Sequence, residues 1–91
     1  MAEDAVVFIG DKPFMNYVTG VVMQFNTGVP KVTIKARGKH ISRAVDAAEA
    51  AKNKFMKDIK AKNIKIGSEE FQGKTGKTVR VSTMEIELIR E

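Results

Sequence analysis

The sequence predicts a two-layer α/β (α+β) sandwich, one sheet covered by two helices in the order β-α-β-α-β-β. Three observations predict it. Short runs rich in β-branched residues near Ala5, Lys31, Asn63 and Thr78 carry strand patterns, and two stretches between them space their apolar residues as helices do. The chain has 91 residues, of which 43% are hydrophobic, so one domain over residues 1–91 with a single core is expected. Glycine and proline stand where the pattern changes period.

Residues 5–9, Ala-Val-Val-Phe-Ile, end at Gly10 and read as a buried strand. Pro13 suits the first turn of a helix, where a missing N–H costs nothing. Phe14, Val18, Val21, Val22 and Phe25 form that helix's apolar stripe. Asn26-Thr27-Gly28 is the stop, with Gly28 able to take the left-handed conformation. Residues 31–36 alternate as a half-buried strand with Lys31, Thr33 and Lys35 outward, followed by a polar turn at residues 37–40. A longer helix is expected over residues 41–59, its stripe being Ile41, Ala44, Val45, Ala48, Ala51, Phe55 and Ile59.

Residues 63–71 read as the third strand, with Ile64 and Ile66 inward. Residues 72–77 are a glycine-marked hairpin loop, and residues 78–89 a long fourth strand. The alternation changes phase along it, from Val79 and Val81 to Met84, Ile86 and Leu88. One pleated face cannot hold both sets without a bulge or twist. Either residues 74–81 form an arm projecting beyond the body, or the hairpin has an ordinary tip with a bulge.

Charge narrows the function. The chain carries 16 Lys+Arg against 11 Asp+Glu, a net +5. Between residues 31 and 65 lie eleven basic residues and only Asp46, Glu49 and Asp58 as acids, a net +8. A clustered positive field attracts a polyanion, because each neutralised phosphate releases condensed counterions. A solvated lysine-rich helix face is the alternative. The acidic start, Met1-Ala2-Glu3-Asp4, and the short apolar run after it do not resemble a signal peptide. No stretch approaches a membrane span, so a cytoplasmic protein is expected.

Catalysis finds little support. There is no cysteine, which excludes disulfides and thiolate zinc sites, and His40 is the single histidine. Beside Arg37, Lys39 and Arg43 it reads as a loop donor; no partner at ligand spacing suggests a metal. Glu69-Glu70 and Glu85/Glu87 read as solvated strand carboxylates. Gly73-Lys74-Thr75-Gly76 looks like a phosphate loop but opens no helix. No cofactor is expected. Single-strand binders interleave aromatics with basic residues. Here Phe8, Phe14, Tyr17, Phe25 and Phe55 fall largely on predicted core stripes, with Phe71 the one exception. That favours contact through phosphates and groove shape over base readout.

Gly10-Asp11-Lys12-Pro13-Phe14-Met15-Asn16-Tyr17-Val18 resembles the signature of the Alba chromatin family, in which a glycine, two lysines and a proline lead into a Met-Asn-Tyr-Val helix. Residues 34–46, with Ala36-Arg37-Gly38 and then Ile41-Ser42-Arg43-Ala44-Val45-Asp46, resemble its second block. Lys52-Asn53-Lys54-Phe55 is similar to its Arg-Asn-Arg-Phe, and Ile64-Lys65-Ile66-Gly67 continues the likeness. The resemblance implies a fold like the C-terminal domain of bacterial translation initiation factor three. It also implies a homodimer with two hairpin arms, and double-stranded DNA lying across the body with the arms at the minor groove.

By position, the resemblance implies that Lys12, Arg37, Lys39, His40 and Arg43 contact the backbone, that Lys74, Lys77 and Arg80 belong to the arm, and that Phe55 mediates dimer–dimer contact. It implies an archaeal-type, chromosome-associated protein that coats or bridges DNA with little sequence preference. The family includes RNA binders, so structured RNA is the second target to weigh; a protein-assembly module is a third reading. Asp11 departs from the family, which usually has lysine there, acetylated in some members. A carboxylate at that point either opposes phosphate, giving weaker binding or a stronger RNA or sequence bias, or caps the following helix.

Overall fold

A computed structural model describes residues 5–91; the acidic start at residues 1–4 lies outside the described residues. The elements are β1 (Ala5–Phe8), α1 (Phe14–Asn26), β2 (Lys31–Arg37), α2 (Ile41–Ala50), β3 (Ile59–Gln72) and β4 (Thr78–Arg90). A 3₁₀ turn at Gly38–His40 leads into α2, and a π-helical turn at Ala51–Phe55 leaves it. The sheet order is β1-β2-β4-β3, with β1 parallel to β2 and the other pairs antiparallel. This is the expected order of elements and the expected fold class.

Both helices cover one face of the sheet. Val18, Val21 and Phe25 of α1 and Ala44, Ala47, Ala48 and Ala51 around α2 share one core with Val32, Ile34, Ala36, Ile86 and Leu88. Alanine on α2 lets its backbone sit close to the strands. Pro13 is the cap residue of α1 and Asn16 N–H donates to its carbonyl at 3.0 Å. Gly28 takes φ +98°, as its stop role requires. Gly38 takes φ +53° where β2 turns into α2, and a Cβ there would also press on Val81 at 3.4 Å.

Several expectations need correction. The second helix does not reach Ile59. Met56 N–H donates to the Ala51 carbonyl at 2.8 Å, closing the π turn; Met56 is extended, and Ile59 instead opens β3, still fully buried. Periodicity cannot separate these cases, because a buried strand end continues the apolar spacing of the helix before it.

Ile64 and Ile66 are not inward: they are 58% and 80% exposed. The register of β3 against β4 shifts between Lys62 and Lys65, where Asn63 has φ +53°. The bulge therefore lies on β3, not on β4. Beyond it Ile66 pairs with Met84, on an edge strand past the reach of the helices.

β1 is not a buried strand. It lies at the sheet edge and alternates: Ala5, Val7 and Ile9 face the helices, whereas Val6 and Phe8 are exposed on the other face. Phe55 and Val45 are also exposed rather than core. Thr33, expected outward, is covered because β2 is an inner strand, with Val6 and Glu87 beside it in register.

The hairpin resolves the question of phase. β4 is regular, its even residues Met84, Ile86 and Leu88 facing the helices and its odd residues facing away. β2 pairs with β4 only as far as Arg37 opposite Thr83, so residues 78–82 pair with β3 alone. Five residues at about 3.4 Å each carry this two-stranded arm roughly 17 Å past the third strand. The molecule measures 46 × 27 × 19 Å, long in keeping with that arm.

Candidate nucleic-acid interface

β1 and β2 are parallel neighbours, so the loops that leave their C-terminal ends emerge side by side. The first loop is held by Tyr17. Its hydroxyl oxygen accepts from Gly10 N–H at 2.9 Å and Lys12 N–H at 2.8 Å, while its ring lies in the core. The first turn of α2, which follows the second loop, is tied to the first loop by Arg43, whose Nη1 donates to the Lys12 carbonyl at 3.0 Å. The backbone of the first loop is thus preorganised around Lys12, next to the turn Gly38–His40 that carries Lys39 and His40 and to Arg43 on α2.

Tyr17 is a positioning residue that sequence reasoning left on the core stripe. The available signal was chemical: a tyrosine on an apolar stripe needs a partner for its hydroxyl.

Asp11 is exposed, and its Oδ1 stands 3.7 Å from Nε2 of His40, a partly covered side chain. It makes no capping bond to α1, whose cap residue is Pro13. The helix-cap reading of Asp11 is therefore not what the geometry shows; the carboxylate faces the basic loop.

The remaining cations lie on or beside the arm. Arg37, at the end of β2, reaches Glu69 on β3 with Nη2–Oε2 at 3.1 Å, and its guanidinium sits 6.0 Å from the Phe71 ring centroid. Arg80 donates through Nε to Oε1 of Glu70 at 3.0 Å, and its Nη2 contacts the same oxygen. Register places Arg37, Glu69 and Phe71 on the face turned away from the helices and Arg80 with Glu70 on the opposite face. Lys74 and Lys77 lie in the exposed tip, where Gly73 N–H donates to the Lys77 carbonyl at 2.8 Å.

The proposed contacts thus form two groups, one at the paired loops and one along the arm. Glu69 and Glu70, read from sequence as solvated, are the partners of two of the arginines. Such exposed pairs are worth little in stability, about 0–1 kcal/mol, so a phosphate can replace the carboxylate at small cost. Phe55 is 52% exposed at the end of the π turn, at the far end of α2 from the loops. Among the described residues no group of His, Cys, Asp and Glu could hold a metal ion, and no helix is long and apolar enough to cross a membrane.

Comparison with known proteins agrees with this architecture. The Alba family model matches residues 5–68. A relative from Methanocella arvoryzae, DNA/RNA-binding protein Alba, is 50% identical over 90 residues, covering 99% of this chain and 94% of its own length. DNA/RNA-binding protein Alba 1 from Archaeoglobus fulgidus is 50% identical over the full length of both chains. These names describe nucleic-acid-binding proteins, not enzymes.

Among solved structures, Alba from Thermoplasma volcanium superposes with a TM-score of 0.87 at 49% identity, covering 93% of this chain and 99% of that one. ALBA1 from Trypanosoma brucei shares the fold with a TM-score of 0.77 at 20% identity, covering 99% of this chain and 72% of the other. Family model, relatives near half identity over the whole length, and fold agree, and the chain belongs to the Alba family.

Proposed function

We propose that this chain binds double-stranded DNA as a homodimer, without catalysis and with little sequence preference, and that it coats or bridges the chromosome. The observation that carries this reading is the joined first loop and α2 start: Tyr17 and Arg43 fix the backbone around Lys12, next to the turn that carries Lys39 and His40, beside an arm bearing Lys74, Lys77 and Arg80. Fixed cations on a rigid edge meet the regular phosphate spacing of a duplex, and an arm long enough to leave the body can follow a groove. The names of the relatives support nucleic-acid binding.

The dimer is supported by apolar side chains that the monomer leaves bare. Ile64 and Ile66 on the edge strand and Val45 on α2 are exposed, a pattern that a second copy would cover. Phe55, exposed at the other end of α2, serves contact between dimers in this reading.

A salt titration tests the proposal. If a dimer neutralises about six phosphates, log affinity for duplex DNA falls with log salt at a slope near −5. Arg37→Ala or Arg43→Ala weakens binding and flattens the slope by about one unit for each phosphate no longer neutralised. A slope that does not move removes those residues from the phosphate-binding set. Asp11→Lys replaces a carboxylate beside His40 with a cation and should tighten binding; unchanged affinity would sink the role given to Asp11.

A second reading makes structured RNA the main target, as the names of the relatives allow for both nucleic acids. Competition between duplex RNA and duplex DNA of equal length separates the two.

A further inference from the structure

The face of the sheet turned away from the helices holds a cleft that the phosphate contacts leave unexplained. Its lining includes Phe8, 71% exposed, with Lys35, Arg37, His40, Glu69 and Glu85. The cleft has a volume of about 490 Å³ and is open to solvent. Its charges are balanced: Lys35 Nζ lies 3.8 Å from Glu85 Oε1, and Arg37 Nη2 lies 3.1 Å from Glu69 Oε2. These pairs leave the cleft with little net charge, so it does not select its ligand by charge alone.

A flat, uncharged ring carrying both donors and acceptors fits better. It can stack on Phe8, offer a ring N–H to Glu69 or Glu85, and accept hydrogen bonds at its carbonyl oxygens from Lys35 or Arg37. An exposed aromatic on an open four-stranded sheet, ringed by polar groups, is the chemistry by which proteins hold unpaired bases. The backbone of such a strand can run to the cationic loop at Lys12 and Lys39, since Gly10 of that loop lines the same cleft.

We infer that this cleft is a binding site for an unpaired nucleobase, stacked on Phe8, adjoining the loop and arm contacts to a duplex and sharing Arg37 and His40 with them. The inference rests on the nucleic-acid reading above and adds a single-stranded ligand to it. Phe8 has no place in the core, so replacing it leaves the fold intact.

The test compares a labelled oligouridine strand with a duplex of equal length by fluorescence anisotropy. Phe8→Ala should weaken single-strand binding about tenfold and leave duplex affinity within about twofold, as expected for loss of one stacked base. Phe8→Trp should retain single-strand binding. The chain has no tryptophan of its own, so that variant's emission reports the cleft directly and should be quenched by oligouridine but not by duplex. Unchanged single-strand affinity in Phe8→Ala overturns the site. So does a shift in oligomeric state with no change in binding, which would make Phe8 a protein contact. A wild-type chain that binds neither probe overturns the nucleic-acid reading itself, and this site with it.

Discussion

The paired loops and the hairpin arm both present cations, but they hold them by different means. At the loops, backbone atoms are fixed from below: the Tyr17 hydroxyl takes two N–H groups and Arg43 grips a carbonyl, and Tyr17 is rooted in the core. On the arm, two strands are bonded to each other with no covering layer, and side chains pair with side chains, Arg80 with Glu70 and Arg37 with Glu69. The first arrangement sets where charge sits before any ligand arrives. The second lets charge be reassigned when one does. Rigidity near the core and exchangeable pairing away from it give one small protein both a platform and a reach.

This contrast can be broken at its strongest point. Phe25 is fully buried under the sheet, and Phe25→Ala should cost about 3–5 kcal/mol in denaturant unfolding. Phe71→Ala on the arm should cost far less, and equal losses would mean that the arm is as integral as the body. Tyr17→Phe strips a shared acceptor from two backbone N–H groups and should cost about 1–3 kcal/mol. It should also loosen the first loop, read as faster amide exchange at Gly10 and Lys12 with the arm unaffected.

Lys74→Ala with Lys77→Ala should leave stability within about 0.5 kcal/mol. Each alanine should flatten the salt slope of binding by about one unit if its lysine meets phosphate. A fall in melting temperature instead would show the tip to be structural.

The smallest effect is electrostatic. Asp58 Oδ2 accepts from Arg90 Nε at 2.9 Å, and that bond holds the carboxyl below its ordinary pKa despite some opposing desolvation. The folded value is depressed, so the stabilisation is present above the unfolded-state pKa and is lost as pH falls through the folded one. Asp58→Asn should flatten the acid limb of the stability curve and change nothing at neutral pH beyond loss of this exposed pair.

Element order and the stripe of α1 were legible because each rests on local spacing and on Pro13, Gly28 and Gly73. The basic loops were legible from charge density and from the family resemblance. What was not legible depended on neighbours far away in sequence. Whether Phe8 is covered is decided by β1 lying at an edge with helices on one side only. Whether Ile64 and Ile66 point inward is decided by a one-strand bulge and by how far α2 extends. Glu69 and Glu70 looked like solvated acids until folding placed Arg37 and Arg80 against them. In each case the side chain was read correctly as to type, and its surroundings were supplied by topology.

Beyond Thr83 the arm leaves β4 with one edge unpaired, and β3 has an open edge along its whole length. Bare strand edges are templates on which further strands can add, end to end, into aggregates. Lys60, Lys62, Lys65, Glu69, Glu70 and Arg80 are spread along these edges. Two like copies sliding edge against edge would bring charge onto charge at several registers and would have to bury side chains that prefer water. Charges set out along the hairpin are thus a device that works against open-ended strand addition.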